Sequence, residues 1–403
     1  MPSNPSRGRA GGNAGRGTRG GASHTTTASG SRIKRTITDG LSDTPLQTLE
    51  KPAEAASEDI VIKDLQYIGS YNWTTAKKPT ILVPGSPAYW REKPLPFQLV
   101  PDQGESFIDQ NRYRMPSTPL YPLFRAVDIV ETHFEDSTKV DWDSVDFVTD
   151  RSNLRKLLRW ITGGSTLKDF RIDAQLAGRR TILFTRWESR LREYTKTYGF
   201  SFEHELTENA PGCEKSAAGH HRIIQYDFAG LKLVVRFEVD ACIAPSPSTD
   251  LDALAASMAS LSVKKNTFSS PQLDVIIAGA RVPQDSIIEL ATTSGANYGW
   301  KDKYPQLYFS QTQHHFLGKH SEGLFRNIQK RQLGDEVMKY MEESAQDRLK
   351  QLRHALQMIQ DLIVRQGQDT RLSLICSNKE LKLFERAGEA TCLPEDILER
   401  FTA

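Results

Sequence analysis

Apolar positions recur along this 403-residue chain at two spacings, every second residue or every third to fourth, and the changes of period mark out its elements. Alternation over 61–71 predicts a strand. Residues 79–122 are rich in proline and aromatic residues. They read as an extended, non-helical wrap over the core, because proline fixes φ and pushes the residue before it out of the helical region. A short helix is expected over 124–135. A second begins at Arg151, with Asp150 as its cap and Leu154, Leu157, Leu158 and Ile161 on one face. Two hairpins follow, 170–177 with 179–187 around Gly178, and 221–228 with 231–241 around Ala229-Gly230. Segments 273–279 and 286–292 read as strands and 305–314 as a helix. Segments 316–318 and 324–325 form a hairpin turning at Glu322-Gly323. Over 333–366, Leu349, Leu352, Leu356, Ile359 and Ile363 make the stripe of a long amphipathic helix, suited to core packing. A strand at 371–377 and a short helix at 394–401 follow. This order predicts one mixed α/β domain over 56–403, a mixed sheet flanked by helices.

Two segments lack the pattern. Residues 1–55 are Gly, Ser, Thr, Arg and Ala with almost no large apolar side chains, which predicts a disordered tail. Residues 245–270, rich in Ser, Ala, Pro and Lys, read as a surface insertion.

Composition adds limits. With 38% hydrophobic and 25% charged residues the chain is ordinarily globular. No apolar run nears the ~20 residues that cross a bilayer, and the start has no apolar leader segment, so no membrane association is expected. The four cysteines form no C-x-x-C pair, which argues against a zinc site and for reduced thiols. The net charge is +2, but residues 1–40 carry +6 and the remainder −4. Any nucleic-acid contact on the body therefore needs a local patch. The Arg-Gly segments of the tail suit weak, sequence-tolerant RNA contact, or are merely solvated. The basic run Arg32–Arg35 is of the nuclear-localisation type, so the nucleus is the expected compartment and the cytoplasm the alternative.

Four short stretches could carry chemistry. In Phe237-Glu238-Val239-Asp240 the two acids share one strand face, because side chains alternate along a strand. Two carboxylates that close repel unless a cation lies between them, and Mg²⁺ prefers such oxygen ligands. Taken alone, the tripeptide is more commonly what an exposed strand face carries. Glu289 directly follows an apolar strand, and in isolation a strand end facing water is the better explanation of it. Tyr198-Gly199-Phe200-Ser201-Phe202-Glu203 is a glycine and aromatic run ending on a carboxylate, at a strand or helix edge. Arg151 opens a helix behind Phe147-Val148-Thr149-Asp150.

In this order the four stretches resemble the motif series of the decapping exoribonuclease family, which includes the partner of the nuclear 5′→3′ exoribonuclease. Phe147 to Leu158 resembles that family's F-V-x-x-R-x-x-L, Tyr198 to Glu203 its G-Y-K-F-E, Glu238 to Asp240 its E-x-D, and Glu289-Leu290 the start of its E-Φ-x-K. Pro305-Gln306-Leu307 and Phe316-Leu317-Gly318 resemble its glutamine-bearing helix and the hairpin after it. The resemblance spans roughly residues 60–330. It implies a PD-(D/E)XK nuclease core and hydrolysis at RNA 5′ ends, by decapping, 5′-pyrophosphohydrolysis or 5′→3′ exonucleolysis. It implies Mg²⁺ or Mn²⁺ held by catalytic Glu203, Glu238, Asp240 and Glu289, with Leu290 counted at the metal. Arg151 and Gln306 would bind substrate, and a 5′→3′ exoribonuclease is a possible partner.

One position departs. The family's last motif has a lysine two residues after the glutamate, and here that residue is Ala291. A lysine there would steer the attacking water and offset transition-state charge. Arg236, on the face of Glu238, is a candidate partial substitute and a further substrate-binding residue; Lys301 and Lys303 are others, less well placed by sequence. The alternative function is therefore a catalytically weakened RNA-end binder of the same fold. The long helix as a protein-interaction module is a third reading.

From Arg151 to Lys196 the chain carries twelve Lys/Arg interleaved with Trp160, Phe170, Trp187 and Tyr194, which suits a single-stranded RNA face or a solvated one. The histidines at 220, 221, 314, 315 and 320 are expected to be structural, since adjacent residues of a strand face opposite ways. No G-x-S-x-G, P-loop or H-E-x-x-H is present, which argues against the common hydrolase and nucleotide-binding classes.

Overall fold

A computed structural model describes residues 35–53, 58–135, 137–164, 167–213, 216–245, 267–388 and 391–401. All belong to one compact unit, Arg35–Ala403. Its frame is a twelve-stranded mixed sheet. From edge to edge this runs Gln47–Leu49, Glu380–Glu385, Arg371–Ser377, Phe170–Ala177, Thr181–Trp187, Phe147–Asp150, Leu231–Val239, Ser216–Phe228, Ile62–Thr74, Thr80–Pro84, Asp274–Ala278 and Thr267–Ser269.

Helices cover both faces. On one, Leu233, Val235 and Phe237 of the central strand pack with Leu154, Leu157 and Leu158, with Leu307, and with Leu349, Leu352 and Leu356. These come from the helices Arg151–Thr162, Trp300–Ser310 and Glu336–Gln366. On the other face Val234 and Ile223 pack with Leu123, Phe124 and Val127 of the helix Tyr121–His133. The alternation within Leu231–Val239 thus sends its odd residues to one core and its even residues to the other side.

A seven-stranded sheet adjoins this frame, in the order Thr207–Glu208, Ala88–Trp90, Ala241–Cys242, Ile287–Thr293, His314–Ser321, Leu324–Gln332 and Phe97–Gln98. The central strand feeds directly into it, because Val239 is followed after Asp240 by Ala241–Cys242.

The mixed α/β architecture and the single body are as the sequence predicts. Four local expectations are corrected. Residues 35–53 are not loose: Gln47–Leu49 pairs with Glu380–Glu385, Leu49 is buried, and Arg35 lies 5.3 Å over Trp187. Backbone ladder bonds and one apolar anchor hold a stretch whose composition is polar. The remainder of the expected tail at 1–34, residues 54–57, and most of the insertion, 246–266, lie outside the described residues.

The stretch 79–122 is no wrap. It supplies Thr80–Pro84 to the main sheet and the helix Gln110–Arg114, whose cap is Asp109 accepting from the Arg112 backbone at 2.9 Å. The glutamine-bearing helix begins at Trp300, five residues before Pro305. Asp150 precedes the helix Arg151–Thr162 without capping it through its side chain, which is committed elsewhere.

Candidate active site

Three crossings bring the motif residues together. Arg236 and Glu238 occupy the even face of Leu231–Val239, and Asp240 stands where the chain passes into the second sheet. Ala241 is paired with Ile288, so Asp240 meets the motif of the strand Ile287–Thr293. The Leu290 backbone N–H donates to Asp240 Oδ2 at 2.8 Å. Leu290 therefore enters the site through its backbone, orienting a carboxylate.

Glu203 arrives on the helix Gly199–Glu205. Phe202, fully buried, stacks on Phe325 at 4.9 Å and anchors that helix. Gly318 makes the approach possible, since a Cβ there would lie 2.5 Å from the Phe202 ring.

Glu289 is fixed from two helices. Arg151 Nη1 donates to Glu289 Oε2 at 3.2 Å and to Ser310 Oγ at 3.3 Å, and Gln306 Nε2 donates to Glu289 Oε1. The Arg151 guanidinium also lies 5.6 Å over the Phe237 ring. Arg151 and Gln306, expected to hold substrate, thus converge with the candidate carboxylates.

The electrostatics follow from this crowding. Burial, then the charges of Glu238, Glu289 and Asp102, push Glu203 up to about 8. Burial, then Glu289 and Glu203, raise Asp240 well above the usual carboxylate range, against the Leu290 N–H. Glu238 reaches solvent within the cleft, yet surrounding protein raises its pKa; Arg151 and Arg186 oppose this, and Glu289 and Asp109 add to it. The four acids lie in one another's field, which is the condition a divalent cation relieves. Among the described residues no three or more His, Cys, Asp or Glu side chains stand close enough together to hold a metal ion as they are placed. The donor set nevertheless fits a hard divalent ion in chemistry: carboxylate oxygens, mutually repelling, with a rigid backbone donor behind one of them.

Beside Glu238 opens a cavity of about 100 Å³ lined by Asp109, Gln110, Arg151, Arg186 and His221, among others. Gln110 Nε2 and Ser152 Oγ are buried there without hydrogen-bond partners among the described residues.

Arg236 lines this cavity, but its donors are committed to protein partners. It is 1% exposed, its Nε and Nη2 donate to the two oxygens of Asp150 at 2.7 and 3.0 Å, and its Nη1 donates to Pro119 O and Tyr71 Oη. A cation so fully committed and buried is a brace between neighbouring parallel strands, not a stand-in for the lysine absent at Ala291. Much of the expected basic RNA face is also spent internally. Arg171 pairs with Asp173, Arg180 with Asp146, and Arg186 and Lys156 with Glu188. Trp160, Phe170 and Trp187 are buried, so no base can stack on them; Tyr194 is exposed.

A family profile described as a domain of unknown function (DUF8563) matches residues 46–402. The chain belongs to this family. A comparison with curated proteins finds no match. Among solved structures, Rai1 of S. pombe is 14% identical with a TM-score of 0.54, over 83% of this chain and 96% of that one. Rai1 of Scheffersomyces stipitis, in complex with 3′-NADP⁺ and calcium ion, is 12% identical with a TM-score of 0.57, over 88% and 99%. Rai1 of Candida albicans, in complex with pU5 and Mn²⁺, is 11% identical with a TM-score of 0.55, over 88% and 98%. The DUF8563 chain therefore has the fold of the decapping exoribonuclease family, as its motif series implies.

Several residues of the site were not singled out in the sequence. Gly219 has φ +68°, and a Cβ there would lie 2.3 Å from Glu238 Oε1. Its only sequence signal is a glycine two residues before the strand expected at 221–228. Asp109, Gln110 and Ser310 carried no signal, because each reaches the site from a distant element. Two of the histidines expected to be structural, His220 and His221, are buried, and His221 also lines the cavity. His221 stacks on Tyr71 at 5.0 Å, and His220 Nδ1 contacts Asn72 Oδ1 at 2.8 Å.

Proposed function

We propose that this chain is a divalent-metal-dependent hydrolase acting on RNA 5′ ends. The convergence of Glu203, Glu238, Asp240 and Glu289, with Arg151 and Gln306 bonded to Glu289, carries the reading. Further support is the likeness in fold to Rai1 structures, one of which holds an RNA pentamer with Mn²⁺. The four carboxylates would hold Mg²⁺ or Mn²⁺. Bound there, the ion would lower the pKa of an attacking water and neutralise charge on the phosphate. Arg151 and Gln306 orient Glu289, and the Leu290 N–H orients Asp240. The raised pKa of Glu203 suits it to hold a proton near neutral pH when no cation is present. A nuclear location and a 5′→3′ exoribonuclease partner complete the proposal; the basic run at Arg32–Arg35 motivates the first and the family resemblance the second.

The second reading, an RNA-end binder that turns over poorly, is favoured by Ala291. It lies two residues beyond Glu289 on the same strand, and Arg236 does not replace the missing cation. Product release from 5′-capped, 5′-triphosphate and 5′-monophosphate RNA, with Mn²⁺ or with chelator, separates the two. Metal-dependent release from at least one end supports the hydrolase. Tight binding without release from any of them supports the binder.

A further inference from the structure

Beyond the carboxylates, on the Glu289 side, the helices Arg151–Thr162 and Trp300–Ser310 enclose an excess of positive charge. Arg151, Arg155 and Arg159 stand at i, i+4 and i+8 and so share one helix face. Lys303 stands one turn before Gln306 on the facing helix, its amine 6.0 Å from the Tyr298 ring. Arg155 is the unusual member. Its Nε is buried and has no hydrogen-bond partner among the described residues. The charges acting on it include three arginines, Arg151, Arg159 and Arg186, against one carboxylate, Glu289. That carboxylate is already held by Arg151 and Gln306. Lys303 feels Arg155 and Arg159 against Glu289 and Asp302. Burial and these neighbours push Arg155 down to about 9. An arginine kept half out of water among other cations, with a donor unpaired, is costly unless an anion completes it.

We propose that Arg155, Arg159 and Lys303 form a phosphate-binding site next to Arg151, taking a phosphate group other than the one attacked. This rests on the hydrolase reading above and adds a residue-level determinant of which 5′ ends are held. The planar multi-donor face of Arg155 suits a phosphate, and Lys303 adds a point charge. The phosphate belongs either to a 5′ polyphosphate or to the first internucleotide linkage.

The test is titration calorimetry in Ca²⁺ with three probes, UMP, UTP and the 5′-phosphorylated dinucleotide pUpU. Wild type is compared with Arg155→Gln, Lys303→Gln and Arg155→Lys. Arg155→Gln should weaken one probe beyond UMP by about tenfold, the effect of one lost charge-assisted hydrogen bond. UTP responding identifies the polyphosphate as the source, and pUpU identifies the linkage. Lys303→Gln should act in the same direction, and Arg155→Lys should recover part of the loss. The melting temperature of ligand-free Arg155→Gln should stay level or rise, because an uncompensated charge is removed. Equal weakening of all three probes, no weakening, no binding of any probe by wild type, or a lower melting temperature overturns the site. Product release from RNA 5′ ends by wild type with no probe discrimination removes this site and leaves the proposed function standing. Discrimination without release does the reverse.

Discussion

At the scale of single residues, the site is a set of committed side chains around a few uncommitted ones. Arg236 is the clearest committed case. Its bidentate pairing with Asp150 joins residues 86 positions apart in sequence, which no local pattern announces. The same strand face that made Glu238 and Asp240 legible as a pair therefore misled for Arg236, because alternation gives a direction and not a partner. Arg236→Ala should cost about 3–5 kcal/mol, the range for removing one member of a buried pair and stranding the other. Urea denaturation measures it, and a loss below about 1 kcal/mol would mean that Asp150 finds other partners. Ala291→Lys probes the opposite situation. A lysine two residues from Glu289 on one strand shares its face, and one restored donor of this kind can recover part of about 10²–10³ in turnover. An unchanged rate, measured on whichever RNA end the wild type cleaves fastest, would show that another cation already acts there.

At the scale of elements, periods were easier to read than boundaries. The strands 170–177 and 371–377 and the hairpin at Glu322-Gly323 follow their patterns closely, and both turn residues of that hairpin have positive φ. The Trp300 helix starts five residues before Pro305, the residue that marks a helix start in the sequence. The strand Thr80–Pro84 is masked in the sequence by Pro79 before it and Pro84 at its end. Glycine contacts between elements were invisible in sequence, although they set the site. Gly318→Ala should displace Phe202, and with it the helix that carries Glu203. Mn²⁺ affinity should then fall more than stability does, as followed by calorimetry beside thermal melting; an unaltered affinity would show that this helix does not set the site.

The strand Ser216–Phe228 supplies a pH signature. Burial, then Arg236, lowers His221 to about 3 from an ordinary 6.5, and burial, then Arg222, lowers His220 as well. Both stay neutral in the folded chain at pH values where the unfolded chain takes up protons. Stability from this source is complete above pH 6.5 and is lost as pH falls from there toward 3, by about 1.4 kcal/mol per unit for each group. Glu203, raised to about 8, acts in the opposite sense, so the comparison must be made with His221→Phe. That variant should show a shallower decline of melting temperature between pH 6.5 and 4. Parallel curves would show that His221 is protonated, or solvated, in the folded state.

At the scale of the whole molecule, the mixed α/β frame and the order of the motifs were legible because both repeat along the chain. The convergence of those motifs was not, since it depends on one strand leaving the large sheet and entering the second at Asp240. That junction is the structural basis of the proposed chemistry: it puts an E-x-D pair from one sheet against a glutamate from the other, with a helix delivering the fourth acid. The proposed chemistry requires those acids to serve one divalent ion in RNA hydrolysis. The rate of product release from RNA 5′ ends as Mn²⁺ is raised, for wild type and Asp240→Asn side by side, tests this most directly. A saturable, metal-dependent rate is expected in wild type, and loss of that rate in a folded Asp240→Asn. A rate indifferent to Mn²⁺, or undiminished in the variant, would contradict it.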